Sequence, residues 1–359
     1  MLNYAIFVLS PVVIEALFLF FVREPISYNN TNKKRFLIIM GAILFFYIAF
    51  RSGSVGTIDN QFYLRNWNVM SRVPPKFLGD ALEKIDIERG YLISVWLLSK
   101  VFRWNQWLFI FCGILTSVSI CRFLYKNVND VCLGFVMFSN LGLFAFMVQG
   151  VRQGIAICIC LYALEMSKRR KIIRFVLLVL LASTFHASAL VFLLVYLLPL
   201  LKMNWKSIAI FAVLTLMAFL FMDKLLDFGN FLINDDYSLG DTKDAEGGGY
   251  ISLLIYFLII TASIVFADWE EKHMSLFFFF TACGMITFFM RFVGATVLQR
   301  ISYFFILGQT VLLSRSLSRF RLHEWQRILI RELVVALCLG IGFYKASYSV
   351  LIPYTFFWQ

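Results

Sequence analysis

The stretch "LLASTFHASALVFLLV" at 180–195 sets His186 inside an apolar run that extends from about Ile172 to Leu201. A titratable imidazole is costly in hydrocarbon. The run is also awkward in length: a membrane span needs about 20 residues, so this one is long for a single helix and short for two. It is either one tilted helix or two short helices folded back near the histidine. That choice decides which face of a membrane the second half of the chain presents.

Composition places the run in its setting. A chain of 359 residues that is 61% hydrophobic and 15% charged reads as an integral membrane protein, because no water-soluble fold hides that much apolar surface. Its 41 Phe and eight Trp suit lipid-facing and interfacial positions. No basic stretch or small-residue cleavage pattern precedes Arg23, so the first apolar segment reads as a retained helix. The net charge of +12 follows from Lys and Arg in cytoplasmic loops and does not point to nucleic acid. The seven cysteines lie in or beside apolar segments without a CxxC, and Cys158 and Cys160 point to different helix faces. They read as packing residues, neither a metal site nor a disulfide framework.

Apolar segments fall at roughly 2–22, 36–50, 91–102, 106–125, 131–148, 149–167, 172–201, 206–222, 250–267, 275–290, 296–314 and 328–344. Three basic clusters mark the cytoplasmic side: Arg23 with Lys33, Lys34 and Arg35; "KRRK" at 168–171 with Arg174; and Arg315, Arg319, Arg321, Arg327 and Arg331. An even number of crossings must separate the last two clusters. Only a hairpin at 172–201, turning near "STFHAS" (183–188), gives that parity. The same choice puts the loop 223–249 outside, with seven Asp/Glu against two Lys. Each hairpin arm would be ~22 Å long, short of the ~30 Å hydrocarbon core, so the turn would sit in an outward recess. Upstream, the same counting leaves 91–102 as a re-entrant or interfacial helix that does not cross. The predicted fold is an all-α polytopic membrane protein with about 12 transmembrane helices and both termini outside. It forms a single transmembrane domain, 1–359, with outer loops 51–105 and 223–249.

That topology gathers an unusual set of residues on the outer face. Arg51 follows the second span, and "SGSVGTIDNQFY" brings Asp59 and Tyr63. Glu88 stands before the short helix, Arg152 in "GVRQGIA" where two helices meet, His186 at the recess, and Arg291 and Arg300 beside an outer turn. Arginine forks suit diphosphate, and a carboxylate or imidazole nearby can deprotonate a hydroxyl nucleophile. Metal binding is poorly supported, since His273 and His323 fall on the cytoplasmic side and no HExxH occurs. Two other readings stay open: a lipid-linked oligosaccharide flippase or transporter, marked by midplane charges, and a membrane acyltransferase acting on polysaccharide.

Taken in order, these stretches resemble the EpsG family, the Wzy-like polymerases of bacterial exopolysaccharide and O-antigen. The resemblance rests on Arg51, "VGTIDNQFY" (Asp59, Tyr63), "ERGY" (Glu88, Gly90, Tyr91), "RQGIA" (Arg152, Gln153), "HASAL" (His186, Ser188) and "RISY" (Arg300, Tyr303). It departs from the family pattern at Ile58, which separates Thr57 from Asp59. The resemblance implies a glycosyltransferase of the bacterial plasma (inner) membrane, working at its outer face on undecaprenyl-diphosphate-linked oligosaccharide. The growing glycan would pass from its lipid diphosphate to the non-reducing end of a fresh lipid-linked repeat unit. Arg51, Arg152, Arg291 and Arg300 would hold the diphosphate, and Tyr63, Gln153 and Tyr303 the glycan. His186, Glu88 or Asp59 would position or deprotonate the acceptor hydroxyl. No cofactor or metal is implied; the partners are the lipid-linked substrate and membrane lipid, with a chain-length-regulating co-polymerase left open.

Overall fold

A computed structural model of the chain describes residues 1–23, 26, 29–55, 58–221, 224, 249–293, 296–319, 323–347, 349 and 351–359. Apart from its residues 224 and 249, the acidic loop 223–249 lies outside the described residues, and Asp235 and Asp236 with it. The described residues are helical throughout, the only extended pairing among them being a bridge between Arg51 and Phe356. Three helices are long and apolar enough to cross a membrane: α1 (Leu2–Phe21), α6 (Trp107–Asn127) and the helix Gly249–Phe266. A fourth span forms if α7 (Val131–Asn140) and α8 (Leu143–Gln149), bent by 53°, count as one. The chain is therefore an all-α membrane protein.

The hairpin expected at 172–201 is present. α10 (Ile172–Ser183) ends at the turn Thr184–His186, and a 3-10 helix (Ala187–Tyr196) returns. At the open end the Tyr196 ring lies 5.2 Å from that of Phe175, and Arg170 Nη1 donates to the Tyr196 carbonyl at 2.8 Å. The arms are short. Twelve α residues rise about 18 Å and ten 3-10 residues about 20 Å, so the second arm matches the first.

Two segments read as continuous helices are broken. The segment 131–148 bends at Leu141–Gly142, where Gly142 adopts φ 115°, a conformation that suits glycine. Lys345 Nζ reaches the Leu141 carbonyl at the break. The segment 296–314 divides into helices Thr296–Ser302 and Leu307–Arg319. The turn between them lets the adjacent Phe304 and Phe305 both enter the core, each against Phe192, where a regular helix would turn one of them away.

The chain divides into two compact units, Met1–Ala163 with Val176–Leu190 and Arg321–Gln359, and Leu164–Phe175 with Val191–Phe320. In the first, α2 (Asn30–Ala49) runs antiparallel to α6, with Gly113 close against Ala49 and Gly41 against Cys121. Small residues allow that approach where no water drives association. Lys33 Nζ reaches the Val128 carbonyl at one end, and Gln106 Nε2 the Ala49 and Arg51 carbonyls at the other. Residues 351–359 fold onto that second end. Ser52 N donates to the Thr355 carbonyl, Phe357 N to that of Phe50, and the Tyr354 hydroxyl to that of Tyr47. In the second unit, Glu165 pairs with Lys168 at 2.9 Å and Arg315 with Glu271 at 3.2 Å.

A candidate carboxylate–imidazole–guanidinium site

The segment after Arg51 contributes α3 (Ile58–Arg72), whose Tyr63, Trp67 and Met70 recur at helical spacing and are all buried. Beyond the short helix α4 (Leu78–Lys84), this face packs on α5 (Arg89–Val101), the short helix expected near 91–102, through Tyr91, Leu92 and Val95. Trp96 Nε1 also donates to the Val73 carbonyl at 3.0 Å. Thirteen residues rise about 20 Å, too little to cross.

Glu88 occupies the cap position ahead of α5 but forms no side-chain cap. Its carboxylate is committed elsewhere. Oε1 meets His186 Nδ1 at 2.8 Å, and Oε2 accepts from Arg152 Nη1. The backbone enforces this meeting: Gly90 N donates to the Thr184 carbonyl at 2.9 Å, tying the start of α5 to the hairpin turn. Arg152 stands in the first turn of α9 (Val151–Lys168), after the chain breaks at Gly150. Its guanidinium also hydrogen-bonds Tyr63, whose ring centroid lies 5.7 Å from that of Tyr91.

Burial alone would raise the Glu88 carboxyl. The His186 hydrogen bond, with the nearby Arg152 and His186 charges, outweighs burial and holds it below the ordinary carboxylate range. Glu88 is thus anionic at neutral pH. An anionic partner at Nδ1 favours the tautomer with its proton there, so Nε2 keeps its lone pair and can accept a proton.

Arg51 is completely buried. Nη1 donates to the Ile48 carbonyl at 2.6 Å, and the guanidinium lies 3.8 Å from the centroid of Phe109. Tyr63 is in electrostatic contact with both Arg51 and Arg152. The first unit therefore brings together Arg51, Tyr63, Glu88, Arg152 and His186. Gln153, beside Arg152, is buried. Arg291, Arg300 and Tyr303 belong to the second unit; Arg300 is exposed, and the Arg291 side chain is outside the described set. So is the side chain of Asp59, whose backbone lies in the first turn of α3. Among the described residues no three His, Cys, Asp or Glu side chains gather as a metal ion would need.

Sequence reasoning gave no role to Tyr91 or Thr184. Tyr91 is completely buried against Tyr63. Its only signal was its place in "ERGY". Thr184 acts through its backbone, which carries no side-chain signature.

A sequence model described as the EpsG family matches residues 34–356, nearly the whole chain. No curated protein and no solved structure matches it. The match runs from the start of α2 through α3, α5, α9 and the hairpin to residues 351–356, and so takes in each element that builds the site. The chain belongs to the EpsG family, a family of Wzy-like polymerases.

Proposed function

We propose that the protein polymerises a bacterial surface polysaccharide by moving a glycan from one lipid diphosphate onto a second lipid-linked repeat unit. The reaction takes place at the outer face of the plasma membrane, which the chain crosses about twelve times. Undecaprenyl diphosphate is the carrier. The observation that carries this reading is the single carboxylate of Glu88 held between His186 and Arg152.

In the transfer, the acceptor hydroxyl attacks the anomeric carbon of the donor glycan. The new C–O bond forms as the bond from that carbon to the diphosphate oxygen breaks, and the diphosphate leaves with the electron pair. The hydroxyl proton goes to Nε2 of His186, and Glu88 stabilises the resulting imidazolium. Arg152 offsets the charge that grows on the leaving diphosphate. Tyr63 and Gln153 contact the glycan, and Arg51 contributes positive charge at the same site.

The test is incubation of purified protein with a lipid-diphosphate repeat unit, without nucleotide or metal. A ladder of products is expected, and Arg152→Ala is expected to abolish it at unchanged protein level. Wild-type chain length from Arg152→Ala would overturn the assignment. No ladder from the wild type, with flux of labelled substrate into vesicles, would favour a transporter.

A further inference from the structure

The two oxygens of Glu88 serve different partners. Oε2 accepts a hydrogen bond from Arg152 Nη1, and Oε1 faces Nδ1 of His186. One negative charge is therefore divided between the group that would meet the leaving diphosphate and the group that would accept the proton. We infer that Glu88 is a positioning residue that couples these two events: an oxyanion arriving at Arg152 draws the guanidinium's charge away from Glu88, and the released carboxylate makes His186 a stronger base. This rests on the diphosphate reading of Arg152.

The geometry gives the coupling a route. Arg152 is held through Nη1 by Glu88, while its buried Nε has no hydrogen-bond partner among the described residues. Its side chain is 27% exposed, against 18% for Glu88 and 12% for His186, so an anion entering from solvent meets the guanidinium first. Among the described residues, the charged and titratable groups around the imidazole are few. Glu88 comes from the start of α5, Arg152 from α9, and Tyr63 from α3 through Arg152, while Arg89 beside Glu88 is exposed. Tyr91 adds a buried, neutral phenol on α5. Glu88 alone among them touches His186 directly.

The consequence is an order of events. Before substrate arrives, Arg152 and His186 share the single carboxylate of Glu88. Once the diphosphate takes up Arg152, Glu88 faces His186 with its full charge. Base strength then rises only when a donor diphosphate is bound.

The chain has three histidines, so ring resonances of isotope-labelled protein in detergent can be followed through a pH titration, with His186→Gln identifying the signal of His186. Inorganic pyrophosphate serves as the probe, its binding read separately by the shift in thermal midpoint. In the wild type, pyrophosphate is expected to move the His186 titration upward by about one pH unit. In Glu88→Gln it is expected to bind and raise the thermal midpoint while leaving the His186 titration in place. An equal upward shift in Glu88→Gln, or bound pyrophosphate without a shift in the wild type, would overturn the coupling and leave the diphosphate reading standing. Failure of pyrophosphate to bind the wild type at all would overturn both.

Discussion

The amide of Gly90 donates to the carbonyl of Thr184 at 2.9 Å, and this backbone contact brings Glu88 to His186. No side chain fits there. A Cβ on Gly90 would lie 2.2 Å from Thr184 Oγ1 and 2.7 Å from the Thr184 carbonyl. The first obstacle is the end of a side chain; the second is backbone and cannot rotate away. Gly90→Ala is therefore expected to part α5 from the hairpin turn, lengthen the Glu88–His186 contact and cut polymerisation by about 100-fold, as misplaced catalytic groups do. Gly90→Ala/Thr184→Ala relieves only the Oγ1 clash and is expected to recover little. Product ladders from both variants, normalised to folded protein, check this; wild-type output from Gly90→Ala would show that the close approach is dispensable.

Acid stability provides a second check. The folded Glu88 carboxyl lies below its ordinary range because of His186 and Arg152, despite burial. A carboxyl whose folded value is depressed stabilises the native state above its unfolded value of about 4.3. That contribution is lost as pH falls from there through the lower folded value. Glu88→Gln is expected to flatten this part of the profile and to lower the midpoint above it, where the wild type keeps the contribution. Thermal midpoints of wild type and variant between pH 3 and 7 measure it, and parallel curves would show that the pairing adds nothing to folding.

Much of this arrangement could be read in the sequence because it rests on charge and length. The basic clusters required a hairpin at 172–201, and its turn lies where His186 predicted. The twelve-residue apolar run at 91–102 was too short to cross, and it forms the helix that carries Glu88 to the site. The breaks were not legible. A lone Gly142 does not by itself end a helix, and nothing local marks Tyr303–Ile306; each break also depends on a distant partner, Lys345 at the first and Phe192 at the second. Arg331 shows the same limit. It counted as a cytoplasmic marker, yet it bonds Glu15 and Asp130, far away in sequence.

That arginine makes a stability prediction. Arg331 Nη2 meets Glu15 Oε1 at 2.6 Å and Nε meets Asp130 Oδ2 at 2.6 Å, joining α1, the turn before α7 and the helix Glu324–Ser347. All three side chains are about one-fifth exposed or less. Removing one partner leaves two carboxylates without compensation, at a cost on the order of 3 kcal/mol. Arg331→Met is expected to lower protein level sharply, and Arg331→Met with Glu15→Gln and Asp130→Asn to restore most of it. Yields of folded protein test this. A triple variant no better than the single would mean that geometry, not charge balance, is what Arg331 provides.

Arg51 separates structure from function most directly. It is wholly buried, stacked on Phe109, and bonded to the Ile48 carbonyl through Nη1, while Nε and Nη2 have no hydrogen-bond partner among the described residues. A buried charge without a carboxylate costs more than a shape-matched apolar chain, so Arg51→Met is expected to fold as well as the wild type or better. The same variant removes positive charge beside Tyr63 and Arg152, and polymer output is expected to fall at least tenfold. Arg51→Lys keeps the charge but not the flat face on Phe109, and is expected to lose about 1–2 kcal/mol of stability while retaining more activity than Met. Thermal midpoints and product ladders for both variants divide the two roles. If Arg51→Met loses stability and activity together, Arg51 is a structural cap for the end of α2; if it keeps full activity, the residue does not serve the substrate.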